Sequence, residues 1–294
     1  MLEEISFHDW PVETLARAAP PPFASSQVRA ISAVNTLPSR TFEISQLLAP
    51  EMWSNVVYIF LAYHSDLEIG LLALLPSLVT LICMDTNLRL ERPDYTFLAL
   101  KRLNFLGSTV SGSLEDVQAV FSATTMPSVR HLALDLSPDS DRGPRDYEQT
   151  FRNLFPQITS LTLTEPHLHG PTYRHLTLCL PLMSRLSHML HAIDLHDLPE
   201  FLAAIPTPVK LGSLHLSCPE TTLPREGDRY SDEIIAIACE NEGAKLQTGK
   251  VYLYLGIKSP REFADLAPYV HFVEGYPSRQ DFDGSPPPSS RIFS

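Results

Sequence analysis

The chain has 294 residues, 44% of them hydrophobic and 19% charged, enough apolar content for a sizeable or long stacked core and too much for wholesale disorder. Its 34 acidic and 22 basic residues give a formal charge of -12, so the clustered Lys and Arg needed to grip nucleic acid or an anionic membrane are missing. Leu (44 residues) and Pro (26) are in surplus and Gly (12) is scarce, which argues against a glycine-dependent nucleotide binder.

The chain opens Met1-Leu2-Glu3-Glu4-Ile5, acidic where a signal peptide would be basic, and no apolar run comes after it. The greasiest stretch, Val56 to Leu75, is interrupted by His64, Asp66 and Glu68 and falls short of a spanning helix. Cys83, Cys179, Cys218 and Cys239 form no CxxC pair, a spacing unlike a zinc site or a secreted disulfide framework. A soluble cytoplasmic or nuclear protein is the expectation.

Repeats dominate the chain from there on. Leu75-Pro76-Ser77-Leu78-Val79-Thr80-Leu81, Met126-Pro127-Ser128-Val129-Arg130-His131-Leu132 and Phe155-Pro156-Gln157-Ile158-Thr159-Ser160-Leu161 share one heptad of residue types. The same L-x-x-L-x-L core recurs at Leu100-Leu103-Phe105, Leu190-Ile193-Leu195 and Leu211-Leu214-Leu216. A weaker copy lies at Thr248-Val251-Leu253, and degraded ones at Val28-Ile31-Ala33 and Trp53-Val56-Tyr58. The fifth clear strand is placed on Ile193, with Leu186 as the alternative because Leu180-Pro181-Leu182-Met183-Ser184-Arg185-Leu186 also fits the heptad. Between strands, capping residues at Ser113, Asp146, Asp197 and Ser259 open helical stripes. In two cases Pro ends the helix and sets an extended start for the next strand, at Phe155-Pro156 and Ile205-Pro206.

The period falls in the leucine-rich-repeat range, and the logic fits. One alternating strand cannot bury its leucines alone, whereas stacked copies join them into a continuous core. The expected fold is α/β: a leucine-rich-repeat solenoid with a curved parallel sheet on the concave side and helices on the convex side. Residues 1–55 are read as degraded repeats or a cap, 56–280 as the solenoid, and 281–294, with Pro286-Pro287-Pro288 and four serines, as a disordered tail. The units resemble the irregular repeats of fungal F-box-like leucine-rich-repeat proteins. That resemblance implies partner or substrate recognition linked to ubiquitin-ligase adaptors, although no F-box pattern is visible in the first 50 residues.

Motifs for chemistry are weak. His167-Leu168-His169, followed by His175, His188, His191 and His196, superficially suggests a metal pair, but too little chain remains for a barrel hydrolase. Ser137, Asp139, Asp141 and Glu148 match a calcium loop only until position 6, where Arg142 replaces the needed Gly. Gly243 to Lys250 has five residues between its glycines and Val251 where a P-loop needs Ser or Thr. No cofactor, metal site or catalytic residue is assigned, and an α/β hydrolase around the His167–His196 cluster is kept as the alternative function.

If the leucines point inward, the alternate positions line the concave face. These are Thr80, Ile82, Arg102, Asn104, His131, Asp135, Ser160, Thr162, Asp194, His196, Ser213, His215, Lys250, Tyr252 and Tyr254. Their mixture of hydroxyls, single charges and a tyrosine pair suits a protein partner. A monomeric protein-binding scaffold, touching neither nucleic acid nor membrane, is the resulting expectation.

Overall fold

The computed structural model describes residues 4–8, 28–35, 53–63, 67–84, 86, 88–89, 95–106, 124–134, 155–163, 180–192, 212–217, 251–254 and 271–273. The chain divides into two compact units, Met1–Leu132 with Gln149–Leu154, and Ala133–Glu148 with Phe155–Ser294. The helices expected from Ser113, Asp146, Asp197 and Ser259 onward, and the C-terminal tail, lie outside the described residues.

In the first unit, five strands pair side by side, all parallel: β1 (Glu4–His8), β2 (Ala30–Val34), β3 (Tyr58–Ala62), β5 (Thr80–Met84) and β8 (Arg102–Leu106). The start of β10 (His131–Leu134) follows β8. Registers align Ile5, Ile31, Ile59, Leu81 and Leu103, one aliphatic residue per strand. Of these, Ile31, Ile59, Leu81 and Leu103 are buried, as are Val28, Val56, Leu78 and Leu100 three residues before them. Two short parallel pairs lie outside this sheet, β4 (Leu67–Glu68) with β6 (Leu88–Arg89), and β7 (Tyr95–Thr96) with β9 (Thr124–Thr125). Between β4 and β5 runs α1 (Ile69–Ala73), the single α-helix among the described residues. Gly70 sits on α1 because a Cβ there would overlap the ring of Tyr95.

The second unit repeats the plan with β11 (Ser160–Leu163), β12 (His188–Ala192), β13 (Ser213–Ser217), β14 (Val251–Tyr254) and β15 (His271–Val273), again all parallel. One register row aligns Leu161, Met189, Leu214 and Val251, and of these Leu161, Met189 and Leu214 are buried. Each unit is thus a stack of parallel strands carrying L-x-x-L-x-L cores, a leucine-rich-repeat arrangement of α/β type. No helix among the described residues is long and apolar enough to cross a membrane.

Two features recur at strand starts among the described residues. First, a tight turn closes on a large buried residue: Val56 N–H donates to the Trp53 carbonyl (3.0 Å), Leu78 to Leu75 (3.2 Å), Val129 to Met126 (3.3 Å) and Leu186 to Met183 (2.9 Å). Second, two successive amides donate to one carbonyl of the preceding repeat. Val57 and Tyr58 share the Arg29 carbonyl, Val79 and Thr80 that of Val57, Lys101 and Arg102 that of Val79, and Arg130 and His131 that of Lys101. In the second unit, Ser187 and His188 share the Thr159 carbonyl, and Gly212 and Ser213 that of Ser187. A carbonyl oxygen has two lone pairs, so the shared acceptor satisfies both amides.

This geometry corrects two expected registers. The fifth strand centres neither on Ile193 nor on Leu186 but on Met189, which pairs with Leu161 and Leu214. Leu186 takes the place that Leu78 has, one turn earlier, because the heptad's Leu180-Pro181-Leu182 forms an extra 3-10 turn. The repeat spacing then becomes more even. The degraded copy at Trp53-Val56-Tyr58 also moves by three residues to Val56-Ile59-Leu61, all buried, with Trp53 as the turn residue. Val28-Ile31-Ala33 and Thr248-Val251-Leu253 have the expected centres, Ile31 and Val251.

Two outcomes test this packing. Leu161→Ala and Met189→Ala should each cost about 2–5 kcal/mol, seen as a lower denaturant midpoint at unchanged slope, because each opens a cavity in the stacked row. Cys83 is buried in β5, and burial pushes its thiol from 9.0 up to about 12. The folded state therefore favours the neutral thiol, and its contribution should be intact below pH 9 and fade as pH rises from 9 toward 12. Comparison with Cys83→Ala over that range checks this, and a thiol reagent should label Cys83 only in denaturant.

Candidate interaction surface and a buried imidazole relay

Once the leucines are turned inward, the other face of the first unit is set by register. One row across the strands holds Glu4, Ala30, Tyr58, Thr80 and Arg102, and the next holds Ser6, Ser32, Phe60, Ile82 and Asn104. A third holds His8, Val34, Ala62 and Met84. Glu4, Ser6 and His8 are exposed, and Tyr58, Phe60, Thr80, Ile82, Met84, Arg102, Asn104 and His131 are half-buried. Thr80, Ile82, Arg102, Asn104 and His131 are thus half-buried positions of this face. At its edge Tyr63 is exposed in the left-handed backbone region (φ 62°), its N–H donating to the Met84 carbonyl at 2.9 Å. That conformation costs a non-glycine residue about 1 kcal/mol or more.

The second unit differs. Ser160, Thr162, Ser213, His215, Tyr252 and Tyr254 are all buried, so the expectation that they line an accessible face is corrected. For His215, Tyr252 and Tyr254 the reason is lateral packing. His215 and Tyr252 occupy one register row, their rings 4.8 Å apart, and Tyr252 meets His271 of the next strand at 5.5 Å. Tyr254 also lies over His215, with centroids 5.8 Å apart. Rings repeating at the strand spacing of about 4.8 Å shield one another and the small residues between them. Asp135, Asp194, His196 and Lys250 lie outside the described residues, as do His167, His169 and His175.

Burial of these polar groups is matched by hydrogen bonds. His188 Nδ1 lies 3.0 Å from Ser213 Oγ, which lies 3.1 Å from His215 Nε2, and His215 Nδ1 lies 3.0 Å from the Tyr254 hydroxyl. A neutral imidazole has one donor and one acceptor, so the chain runs consistently in two directions. Either Tyr254 donates to His215, His215 to Ser213 and Ser213 to His188, or every bond is reversed. The relay crosses three strands without a carboxylate among the bonds that form it. No group of three His, Cys, Asp or Glu side chains among the described residues is arranged to hold a metal ion.

The face positions read from the sequence left out Tyr58, Phe60, His188 and His271, although His188 stands in the His167–His196 cluster singled out there. The first two were hidden by the three-residue slip, which counted Tyr58 as a core position. The signal was available, since Ile59 and Leu61 complete the repeat better than Val56 and Tyr58. His188 was hidden by the shift at Met189.

No protein-family model matches the chain, and no curated protein matches it. Among solved structures, the leucine-rich repeat-containing protein LegL7 from Legionella pneumophila is similar at 18% identity, with a TM-score of 0.48 over 93% of this chain and 91% of that one. A protein from Bacteroides fragilis is similar at 12% identity and a TM-score of 0.48, covering 90% of this chain and 68% of its own. The repeat architecture of each unit rests on strand registers, not on these likenesses.

Burial lowers the pKa of His188 below its ordinary 6.5. The fold therefore favours the neutral ring, and stability from this site should be present above pH 6.5 and lost as pH falls below it. Melting followed from pH 7.5 to 5 should show this loss, and His188→Asn, which keeps a polar partner for Ser213 but cannot titrate, should flatten it.

Proposed function

We propose that the chain is a protein-interaction module that binds another polypeptide through the accessible sheet face of its first unit. The observation that carries this reading is the half-exposed cluster Tyr58, Phe60, Ile82 and Met84, presented on adjacent paired strands beside Arg102 and Asn104. Aromatic, Met and Arg side chains are the types enriched in interface centres. Tyr63, held exposed and strained at the rim, adds a further aromatic contact. A finer part of the proposal is that the module acts as a monomer, in cytoplasm or nucleus, as the recognition half of a ubiquitin-ligase adaptor. Its support is the resemblance of the repeats to F-box-like proteins.

A second reading, a hydrolase, is favoured by one observation: Ser213 Oγ lies within 3.1 Å of two imidazole nitrogens. The interaction reading is preferred because Ser213 and His215 are buried, which leaves a substrate carbonyl no approach to the hydroxyl in this state. A serine-directed phosphonate that labels the wild type but not Ser213→Ala would reverse this preference.

The interaction reading is tested by affinity capture from the native cell extract with wild type and with the double variant Phe60→Ser, Ile82→Ser. Partner recovery should fall at least tenfold while the variant still melts cooperatively, since half-buried truncations cost about 1 kcal/mol each. Undiminished recovery by the variant would place binding elsewhere. Recovery of a ligase adaptor, lost or kept, decides the finer part.

A further inference from the structure

The register of the first unit places its face charges at opposite ends of one row. Glu4, exposed on β1, stands in register with Ala30, Tyr58, Thr80 and Arg102. His131 continues the row, because its amide joins the Lys101 carbonyl as that of Arg102 joins Val79. The strand positions between these ends hold no ionisable group other than the Tyr58 phenol in this row, and apolar Phe60, Ile82 and Met84 in the rows beside it. In a chain of net charge -12 with histidine counted neutral, an end of the face that carries the Arg102 cation with the His131 imidazole beside it stands out. Four strand steps separate Glu4 from Arg102, about 19 Å at about 4.8 Å each. An extended polypeptide covers that span in about six residues at about 3.3 Å per residue.

Resting on the interaction reading above, we infer that this face receives an extended peptide segment laid across the strands, with an apolar or aromatic middle, a carboxylate over Arg102 and His131, and a cation over Glu4. The middle packs on Tyr58, Phe60 and Ile82 and supplies the burial. The end charges set direction and reject the reversed segment, because opposed charges steer and like charges repel.

The test uses the purified full chain and three heptapeptide pools with degenerate apolar middles. Their ends are Lys and Asp in either order, or Gln and Asn. Binding is read by fluorescence polarisation, and melting confirms that each variant folds. The Lys/Asp pools should bind at least tenfold more tightly than the Gln/Asn pool in low salt, and one order should be preferred over the other. The double variant Glu4→Lys, Arg102→Glu should reverse the preferred order, and the conservative pair Glu4→Asp, Arg102→Lys should keep it. Equal binding of all pools, or an order unchanged by charge reversal, overturns the charged-row inference. If binding is then still lost in Phe60→Ser, Ile82→Ser, the interaction reading survives alone; binding insensitive to that variant too overturns both. Absence of binding by every pool overturns the inference. A dimer of the chain alone that dissociates in the charge-reversed variant would assign the face to a second copy and likewise overturn it.

Discussion

The fold depends on one backbone arrangement, the carbonyl that accepts two successive amides from the next repeat. In the first unit it recurs from Arg29 through Val57, Val79 and Lys101, and in the second at Thr159 and Ser187. Each link fixes where the next strand begins relative to the last. A parallel strand that started one residue later would turn its leucines to the opposite face. The buried turn residues Trp53, Leu75, Met126 and Met183 hold the segment that delivers those amides, so apolar burial and hydrogen bonding specify the same register. Loops of different length between repeats are then tolerated, because the register is set again at each strand start.

With the backbone fixed, side chains alone make the two faces different. In the first unit the alternate positions include Ala30, Ser32 and Thr80, small residues that leave Tyr58 and Phe60 partly open to solvent. In the second they bring His215, Tyr252, Tyr254 and His271 into adjacent positions, and the rings of His215, Tyr252 and Tyr254 are buried while His271 at the end of the row is exposed. A surface able to bind and a sealed polar layer therefore arise on one kind of scaffold. A single rule assigning every alternate position to an accessible face fails in the second unit.

Much of this was legible in the sequence, and the misreadings have a common physical origin. Clean L-x-x-L-x-L copies such as Leu78-Leu81-Cys83 and Leu100-Leu103-Phe105 gave strand position and inward face together, because alternation has only one solution there. Where apolar residues recur every third position, the pattern slides. Trp53, Val56 and Ile59, or Leu180, Met183, Leu186 and Met189, offer several equivalent frames. Only the hydrogen bonds choose among them. His191 compounded the difficulty, since a histidine in a place usually held by Leu or Phe made the true frame look like a poor repeat. The burial of Ser213 and His215 was not legible either, because it depends on rings far along the chain, at Tyr252 and Tyr254.

That same sealed layer supplies specificity which leucines cannot. A slip of two residues along β13 keeps Leu214 and Leu216 on the inward face, so apolar burial barely distinguishes it from the native pairing. It would, however, bring Ser217 or a preceding residue to the place of His215 and break the bonds to Tyr254 and His188. Leaving buried hydroxyl and imidazole groups unpaired costs about 1–3 kcal/mol for each group. The relay thus penalises a register that the hydrophobic pattern would accept. Its polar residues are explained by that discrimination as well as by any chemistry, and their position at β12–β14 is where the repeat pattern itself is weakest, with Met189 and Val251 in place of leucine.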